Sequence, residues 1–222
     1  MLRILYSIII CCVASVASVA GSEVGWESLR EEWKVDDDGY ILLFNGENLD
    51  GWHIQGNREG FSVEDGIIRS EGGRGGNWMY WEPARFDDFE LVVEWRVSAR
   101  GNSGVFIRVP AHGHPWQTGY EVQISNEQPP RAAHQCTGSL YDYAAVNPRP
   151  DETPEIWRTF VIRAEGDRIQ VEFDGETVID YDQSQSDRTR NKPMKGFIGV
   201  QDSHAGEGSW VEFRTIKVRP IP

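Results

Sequence analysis

The sequence predicts one all-β domain, an antiparallel β-sandwich, and two observations support this prediction. Turn signals recur about every ten residues, among them Asn45-Gly46, Asp50-Gly51 and Asp174-Gly175. The segments between them alternate apolar and polar residues and are rich in β-branched and aromatic side chains, which is typical of sandwich strands and not of βαβ units. A chain of 222 residues is long enough for such a domain to bury a sizeable core.

The first residues are predicted to form a secretory signal peptide over residues 1–20. Arg3 supplies a positive start, residues 4–16 are apolar, and Ser18-Val19-Ala20 forms a small-x-small cleavage site. The alternative is an uncleaved membrane anchor, for which the apolar run is short. We therefore expect a secreted or periplasmic protein with no membrane association after cleavage.

Residues 21–42 are predicted to form a polar lead-in with one short amphipathic helix, because Trp26, Leu29 and Trp33 are spaced three and four residues apart. The sandwich itself is predicted over residues 43–222. Its clearest strands are 89–97, 104–109, 120–125, 157–164, 168–173, 176–181, 197–201 and 210–218. Two loops, 110–119 and 126–155, exceed the usual length and are rich in His, Trp and Tyr, which indicates binding loops.

Composition excludes several classes of partner. The formal net charge of −13 argues against nucleic acid and anionic membranes, whereas neutral sugars remain compatible. Signal cleavage would leave Cys136 as the single cysteine, so no internal disulfide forms and the core must hold the fold alone. The preferred interpretation of Cys136 is a buried, unreactive thiol, and the alternative is a catalytic nucleophile.

Strand alternation predicts a polar cluster on the face opposite the core, comprising Glu94, Arg96, Arg108, Glu121 and Gln123, with Gln201 joining them. The alternative is an ordinary solvated face on which charges pair across strands. Aromatic residues near the cluster, including Trp116, offer the apolar surface that sugar rings require. Two carboxylates invite a glycosidase interpretation, but sequence gives no distance between them. An arginine beside each glutamate is expected to keep both ionised.

The histidines indicate a catalytic or metal-binding role less clearly than the polar cluster indicates a sugar site. His134, in the long loop 126–155, is the better candidate for proton transfer, with a surface histidine as the alternative. The pair His112-x-His114 has no further residues at metal-ligand spacing, so no metal site is assigned.

The motifs, taken in order, resemble the 3-keto-disaccharide hydrolase domain family, formerly catalogued as DUF1080. The resemblance runs from about residue 43 to the C-terminus. It rests on Leu43-Phe44-Asn45-Gly46, Leu49-Asp50-Gly51-Trp52, Phe89-Glu90-Leu91, Glu94-Trp95-Arg96, Gly101-Asn102-Ser103-Gly104-Val105, Arg108, Gly119-Tyr120-Glu121-Val122-Gln123-Ile124, Thr137-Gly138-Ser139-Leu140-Tyr141, residues 196–201 and residues 211–218.

This resemblance implies a concanavalin A-like jelly roll that cleaves glycosides already oxidised to a ketone at C3 by a separate sugar oxidoreductase. Glu121 or His134 would be the base that removes the C2 proton, followed by elimination and hydration. Arg108 and Gln123 would stabilise the enolate oxygen. Glu94, the third catalytic candidate, would orient the sugar together with Arg96. The other substrate-binding residues would be Trp116, Tyr141 and Gln201. The sequence requires no cofactor and leaves a divalent cation open.

Two departures from the family pattern put substrate choice and any role of His204 in doubt: Ser125-Asn126 follow Ile124 where the family often has Leu-Asp, and one extra residue precedes His204. Two other classes of function are weighed against the enzyme. One is a non-catalytic carbohydrate-binding module that kept the sandwich and lost the chemistry, and the other is a structural or adhesive surface domain.

Overall fold

The computed structural model describes residues 24–73 and 76–221, so the predicted signal peptide lies outside the described residues. Thirteen strands make up the described part of the fold. They are β1 (Ile41–Leu42), β2 (Trp52–Gln55), β3 (Ser62–Glu64), β4 (Ile67–Glu71), β5 (Trp78–Trp81), β6 (Phe89–Val97), β7 (Asn102–Val109), β8 (Tyr120–Ser125), β9 (Arg158–Glu165), β10 (Arg168–Phe173), β11 (Glu176–Asp182), β12 (Phe197–Gln201) and β13 (Trp210–Pro220).

These strands form two antiparallel sheets, which confirms the predicted sandwich. Sheet A has the order β11-β10-β9-β6-β13-β4-β3, with β1 pairing on β13, and sheet B has the order β2-β5-β12-β7-β8. The turn at Asp174-Gly175 joins β10 to β11, as its hairpin signal predicts. In the described ranges, no helix combines the length and the apolar character needed to cross a bilayer.

The predicted amphipathic helix is present as α1 (Trp26–Glu32). Its Leu29 is buried, and the Trp26 ring lies 5.2 Å from that of Phe86. The lead-in is continuous with the sandwich, since β1 at its end pairs with β13. A second helix, α2 (Pro115–Thr118), is a single turn in the loop between β7 and β8.

Alternating side chains of both sheets fill one core between them. On β6, Leu91, Val93 and Trp95 are buried, and on β8 Val122 and Ile124 are fully buried. Period-2 alternation places such residues on one face of each strand, and burying that face is the main term that stabilises the fold. The outward faces of the two sheets consequently lie on opposite sides of the molecule.

Strand β7 departs from simple alternation at Arg108. Phe197 and Gly199 on β12 pair with Val109 and Phe106, so two residues of β7 face one residue of β12. Arg108 has a positive φ of 53°, and this β-bulge reverses which face the following residue occupies. Val109 therefore packs with Phe106 on the outer face of sheet B.

The bulge turns the Arg108 side chain away from that outer face, and the prediction that it joins Glu121 is wrong. The guanidinium is fully buried. Nε and Nη2 donate to the Asp87 carbonyl oxygen at 3.2 and 2.9 Å, and Nη1 donates to the Gly166 carbonyl oxygen at 2.8 Å. Burial lowers its pKa, and the two carbonyl groups hold the charge in place.

Glu94 and Arg96 project outward as predicted, but from sheet A. Glu94 accepts hydrogen bonds from Arg214 at 2.8 Å and from Thr215, while Arg96 pairs with Glu212. The core therefore separates these two side chains from the outer face of sheet B. The prediction that they share one face with Glu121 is wrong, because alternation along a strand does not tell which sheet the strand joins.

We expect Arg108→Met to destabilise the protein by about 2–4 kcal/mol, because it removes the hydrogen bonds from a fully buried guanidinium to the Asp87 and Gly166 carbonyl oxygens. Urea denaturation would measure the loss. Arg168→Met removes the same charge from an exposed pair with Asp180 and should have little effect. Equal stability of the two variants would contradict the structural role of Arg108.

Candidate active site

A pocket opens on the outer face of sheet B. It is lined by Asn102, Trp116, Glu121, Gln123, Arg131, Tyr141, Gln201 and His204. Five of these residues belong to the predicted site, namely Trp116, Glu121, Gln123, Tyr141 and Gln201. The structure thus brings together the sheet B part of the prediction, along with three residues that were not assigned to the site.

Gly104 leaves space in the floor of the pocket. It lies on β7 opposite Gln123 of β8, and the neighbouring pair is Phe106 with Glu121. A Cβ atom at Gly104 would lie 2.3 Å from Oε1 of Glu121 and 2.7 Å from its Cγ. The Glu121 side chain therefore lies flat across the backbone of β7, a position that only glycine beneath it permits.

Glu121 is a buried carboxyl group, with 4% of the residue exposed. It forms no side-chain hydrogen bond with any described residue. Burial raises its pKa from 4.5 to about 8; the positive charge of Arg131 opposes this rise and the negative charge of Asp142 adds to it. The expectation that a neighbouring arginine keeps Glu121 ionised is wrong, because desolvation outweighs the attraction of Arg131.

Two amide side chains line the pocket together with Glu121. The side-chain oxygen of Gln123 accepts a hydrogen bond from the Ile124 backbone N–H at 3.1 Å, which leaves its NH2 group as the donor to the pocket. Asn102 donates from Nδ2 to Oε1 of Glu127 at 2.9 Å. Since a carboxylate only accepts, this bond fixes the orientation of the Asn102 amide.

Arg131 is the cation of the pocket and was absent from the predicted set, although its loop, 126–155, was singled out. Nε pairs with Glu127, and Nη1 donates to the Tyr141 hydroxyl at 3.3 Å. Tyr141 reaches the pocket because its segment extends sheet B: its N–H donates to the Glu121 carbonyl oxygen at 2.9 Å. These bonds fix a guanidinium and a phenol beside the carboxyl of Glu121.

The structure places His204 in the pocket, not His134. His134 is an exposed side chain whose Nε2 lies 3.9 Å from Oδ1 of Asp142. The backbone N–H of His204 donates to the Asn102 carbonyl oxygen at 3.1 Å. His204 is exposed as a whole residue. Its imidazole is nevertheless partly desolvated by the pocket walls, which lowers its pKa, and the positive charge of Arg131 lowers the pKa further. Its unusual spacing after Gln201 was the available signal in the sequence.

Aromatic side chains form the remaining wall. The Trp116 ring lies edge-on to the Tyr141 ring, with the ring centroids 5.6 Å apart. Trp116 also packs against a buried outer-face cluster of sheet B that includes Trp78 and Phe106. An apolar surface beside polar donors and acceptors suits a sugar ring, which has C–H faces and hydroxyl edges.

Within the described residues, no group of three or more His, Cys, Asp or Glu side chains comes together in a way that could hold a metal ion. The divalent cation left open by the sequence therefore has no ligand set of this kind among these residues.

A family comparison matches residues 39–219 to the 3-keto-alpha-glucoside-1,2-lyase-like domain. A 3-keto-disaccharide hydrolase from Bacteroides thetaiotaomicron is 38% identical over 81 residues, which is 32% of this chain. The matched region spans only 28% of that relative's length.

Solved structures support the fold independently. A candidate glycosyl hydrolase from Parabacteroides distasonis superimposes with a TM-score of 0.71 at 22% identity, over 83% of this chain and 95% of the other. The VIP36 exoplasmic/lumenal domain in its Ca2+- and mannose-bound form gives 0.54 at 11% identity, over 77% and 83%. A carbohydrate-binding module of Bacillus subtilis, CBM66, gives 0.50 at 15% identity, over 76% and 95%. At these identities the likeness establishes the lectin-type sandwich.

The raised pKa of Glu121 predicts a pH-dependent stability that Glu121→Gln removes. Because the folded state holds this proton more tightly than the unfolded state, the stabilisation is complete below about pH 4.5 and is lost as the pH rises through about 8. Urea denaturation should show similar stability of both proteins at pH 4.5, and a variant more stable than wild type by up to about 5 kcal/mol at pH 9.

Glu64→Gln makes the same chemical change at an exposed position, and should leave the pH profile of wild type intact. A difference between Glu121→Gln and wild type that stays constant from pH 4.5 to 9 would contradict the buried, protonated state of Glu121.

Proposed function

The chain belongs to the 3-keto-alpha-glucoside-1,2-lyase-like domain family, and from this premise we propose that it cleaves glycosides whose sugar ring carries a ketone at C3. The observation that supports the proposal is Glu121, a buried carboxyl group with a pKa near neutrality beside an arginine and an amide donor in one pocket. A side chain with such a pKa is suited to removing a weakly acidic proton.

The chemistry follows from the ketone. A C3 carbonyl acidifies the proton on C2, so a base can remove that proton and leave an enolate whose charge rests on the C3 oxygen. As the enolate collapses, a C1–C2 double bond forms and the C1–O bond breaks with its electron pair going to the departing oxygen, which takes up a proton. Water then adds across the double bond, with hydroxide joining C1 and a proton joining C2.

Glu121 is assigned as the base at C2. With a pKa of about 8, roughly one molecule in ten carries the ionised form at pH 7, and that form is a stronger base than an exposed carboxylate. Its position across Gly104 leaves the carboxyl facing the pocket without a hydrogen bond to any described residue. The proton that it takes can return to the reacting sugar in the hydration step.

Arg131 and the NH2 group of Gln123 are assigned to the enolate oxygen, because both place donors in the pocket beside Glu121. Arg131 takes the part first given to Arg108. The Tyr141 hydroxyl accepts from Arg131, so its own proton is free to pass to the departing oxygen. Trp116 is assigned to the apolar face of the ring, and Gln201 with Asn102 to its hydroxyl groups.

The second candidate is a non-catalytic carbohydrate-binding module. It is favoured by the superposition with CBM66 and by a pocket wall that combines Trp116 with amide groups, an arrangement that binds sugars without any chemistry. The two candidates share the pocket and differ in whether Glu121 reacts.

Two further parts of the proposal concern context. We propose export from the cytoplasm on the strength of the leader-like residues 1–20. We also propose that a sugar 3-oxidoreductase acts first, since a C3 ketone must be produced by an oxidation that this pocket has no assigned group to perform.

Glu121→Gln should abolish turnover of 3-keto-trehalose and of 3-keto-sucrose, because an amide cannot take up the C2 proton. Product release is measured together with calorimetric binding of the same sugar. Glu94→Gln, on sheet A, is the matched control and should retain wild-type turnover. Sugar binding by the wild-type protein without any turnover would support the binding module instead.

Gly104→Ala should lower kcat/KM at least a hundredfold, because the new methyl group would overlap Glu121 and displace its carboxyl by about 1 Å. Steady-state kinetics with 3-keto-trehalose would measure it, with circular dichroism to confirm an unchanged fold. Gly25→Ala adds the same methyl group where no other atom lies within 4 Å and should change nothing. Full activity of Gly104→Ala would remove Glu121 from the base role.

A further inference from the structure

The aromatic wall of the pocket is carried by loops and not by the strands of sheet B. Trp116 lies on α2, and Tyr141 lies in the loop between β8 and β9. A helix of four residues does not hold its own conformation in water. The position of the Trp116 ring therefore depends on the contacts that fix α2 from outside.

Residues 186–192, which we call the brace, lie between β11 and β12 and contact both loops. Nζ of Lys192 donates to the Gln117 carbonyl oxygen at 2.6 Å and to the Gly119 carbonyl oxygen. Both carbonyl groups lie at the C-terminal end of α2, where a cation is favourable. Arg188 of the brace donates from Nη1 to the Asp142 carbonyl oxygen at 2.9 Å, one residue beyond Tyr141.

The rings of two tyrosines, one on β8 and one in the loop between β8 and β9, hold the Lys192 ammonium group. Nζ lies 4.8 Å from the ring centroid of Tyr120 and 4.3 Å from that of Tyr143, distances at which a cation is attracted to the ring face. Tyr120 is fully buried at the start of β8. Lys192 thus connects α2 to a fixed part of sheet B.

An ion pair does not account for the position of the Lys192 ammonium group. No carboxylate of the described residues lies within 4.0 Å of Nζ, and burial, aided by the like charge of Arg188, lowers its pKa to about 8. Partial burial of an ammonium group without a counter-ion costs stability, which an apolar side chain at the same position would avoid. The bonds to the two α2 carbonyl groups are the feature that only a donor can supply.

We propose that Lys192 is a positioning residue: it fixes α2 so that Trp116 faces the pocket, and it thereby sets the affinity of the pocket for the sugar ring. The inference rests on the proposed function, in which Trp116 stacks on that ring. Lys192 is not one of the residues that line the pocket. Its loss should therefore weaken substrate binding and leave the chemical step nearly unchanged.

Kinetics of Lys192→Met, Trp116→Ala and the double variant with 3-keto-trehalose test the proposal. Lys192→Met should raise KM about tenfold with kcat within about twofold of wild type, since ring stacking is made equally in the bound and transition states. If Lys192 acts through Trp116, the double variant should be no worse than Trp116→Ala alone. An unchanged KM, or effects that simply add, would overturn the proposal.

Lys217→Met is the matched control, because Nζ of Lys217 lies 4.5 Å from the Tyr40 ring centroid but on sheet A. It should leave KM at the wild-type value. A rise in KM for this control equal to that of Lys192→Met would overturn the proposal by showing a general effect of losing a lysine.

A second measurement keeps the proposal testable if no keto sugar is cleaved. In protein labelled with 5-fluorotryptophan, the 19F resonance of Trp116, identified by Trp116→Phe, should shift or broaden in Lys192→Met and not in Lys217→Met. An unchanged Trp116 resonance would overturn the positioning role. A moved resonance together with a KM that Trp116→Ala leaves unchanged would overturn the link between Lys192 and sugar affinity, and it would also count against ring stacking in the proposed function.

Discussion

The desolvated carboxyl group of Glu121 is the constraint on which the candidate site depends. It occupies the space that Gly104 leaves open on β7, and it lies on a strand whose alternate residues, such as Val122, are locked in the core. Ionising such a group is unfavourable, and strands held less firmly would move to admit water. The large apolar core behind sheet B supplies the rigidity that keeps this carboxyl dry and its pKa near neutrality.

The outer face of sheet A shows what the same residue types do when they serve stability. There Glu90 accepts hydrogen bonds from Arg163 at 2.8 Å and Arg219 at 2.6 Å, and Glu212 pairs with Arg69 and Arg96. These carboxylates are satisfied by cross-strand partners, as polar faces of antiparallel sheets usually are. Glu121 is the same residue type, but it has no hydrogen-bonded cation among the described residues. The presence or absence of such a cation therefore distinguishes the site from an ordinary polar face.

Sequence patterns predicted the sandwich, the bounds of eight of the thirteen described strands to within two residues, and five of the pocket residues, since alternation and turn chemistry are local properties. Alternation does not predict features that depend on contacts between distant parts of the chain. Glu94 and Glu121 both point outward, but only tertiary pairing decides that their strands join different sheets. The bulge at Arg108 is equally non-local, because it forms where Gly119 and Gly196 allow neighbouring backbone to approach it. Arg131 reaches the pocket through loop packing, and loop packing leaves no periodic pattern in the sequence that could predict it.

The floor of the pocket is built from strands and its aromatic wall from loops, and this difference affects how substrate specificity can change. Glu121 and Gln123 stand on hydrogen-bonded strands, whose register a substitution elsewhere does not easily change. Trp116 and Tyr141 stand on loops, which tolerate insertion and substitution and take their positions from contacts such as those of the brace. The group that would remove a proton is thus held by the fold as a whole, whereas the surfaces that would choose among sugars are held by a few side-chain bonds. Substrate range can therefore change through the loops and the brace while the reacting carboxyl stays in place.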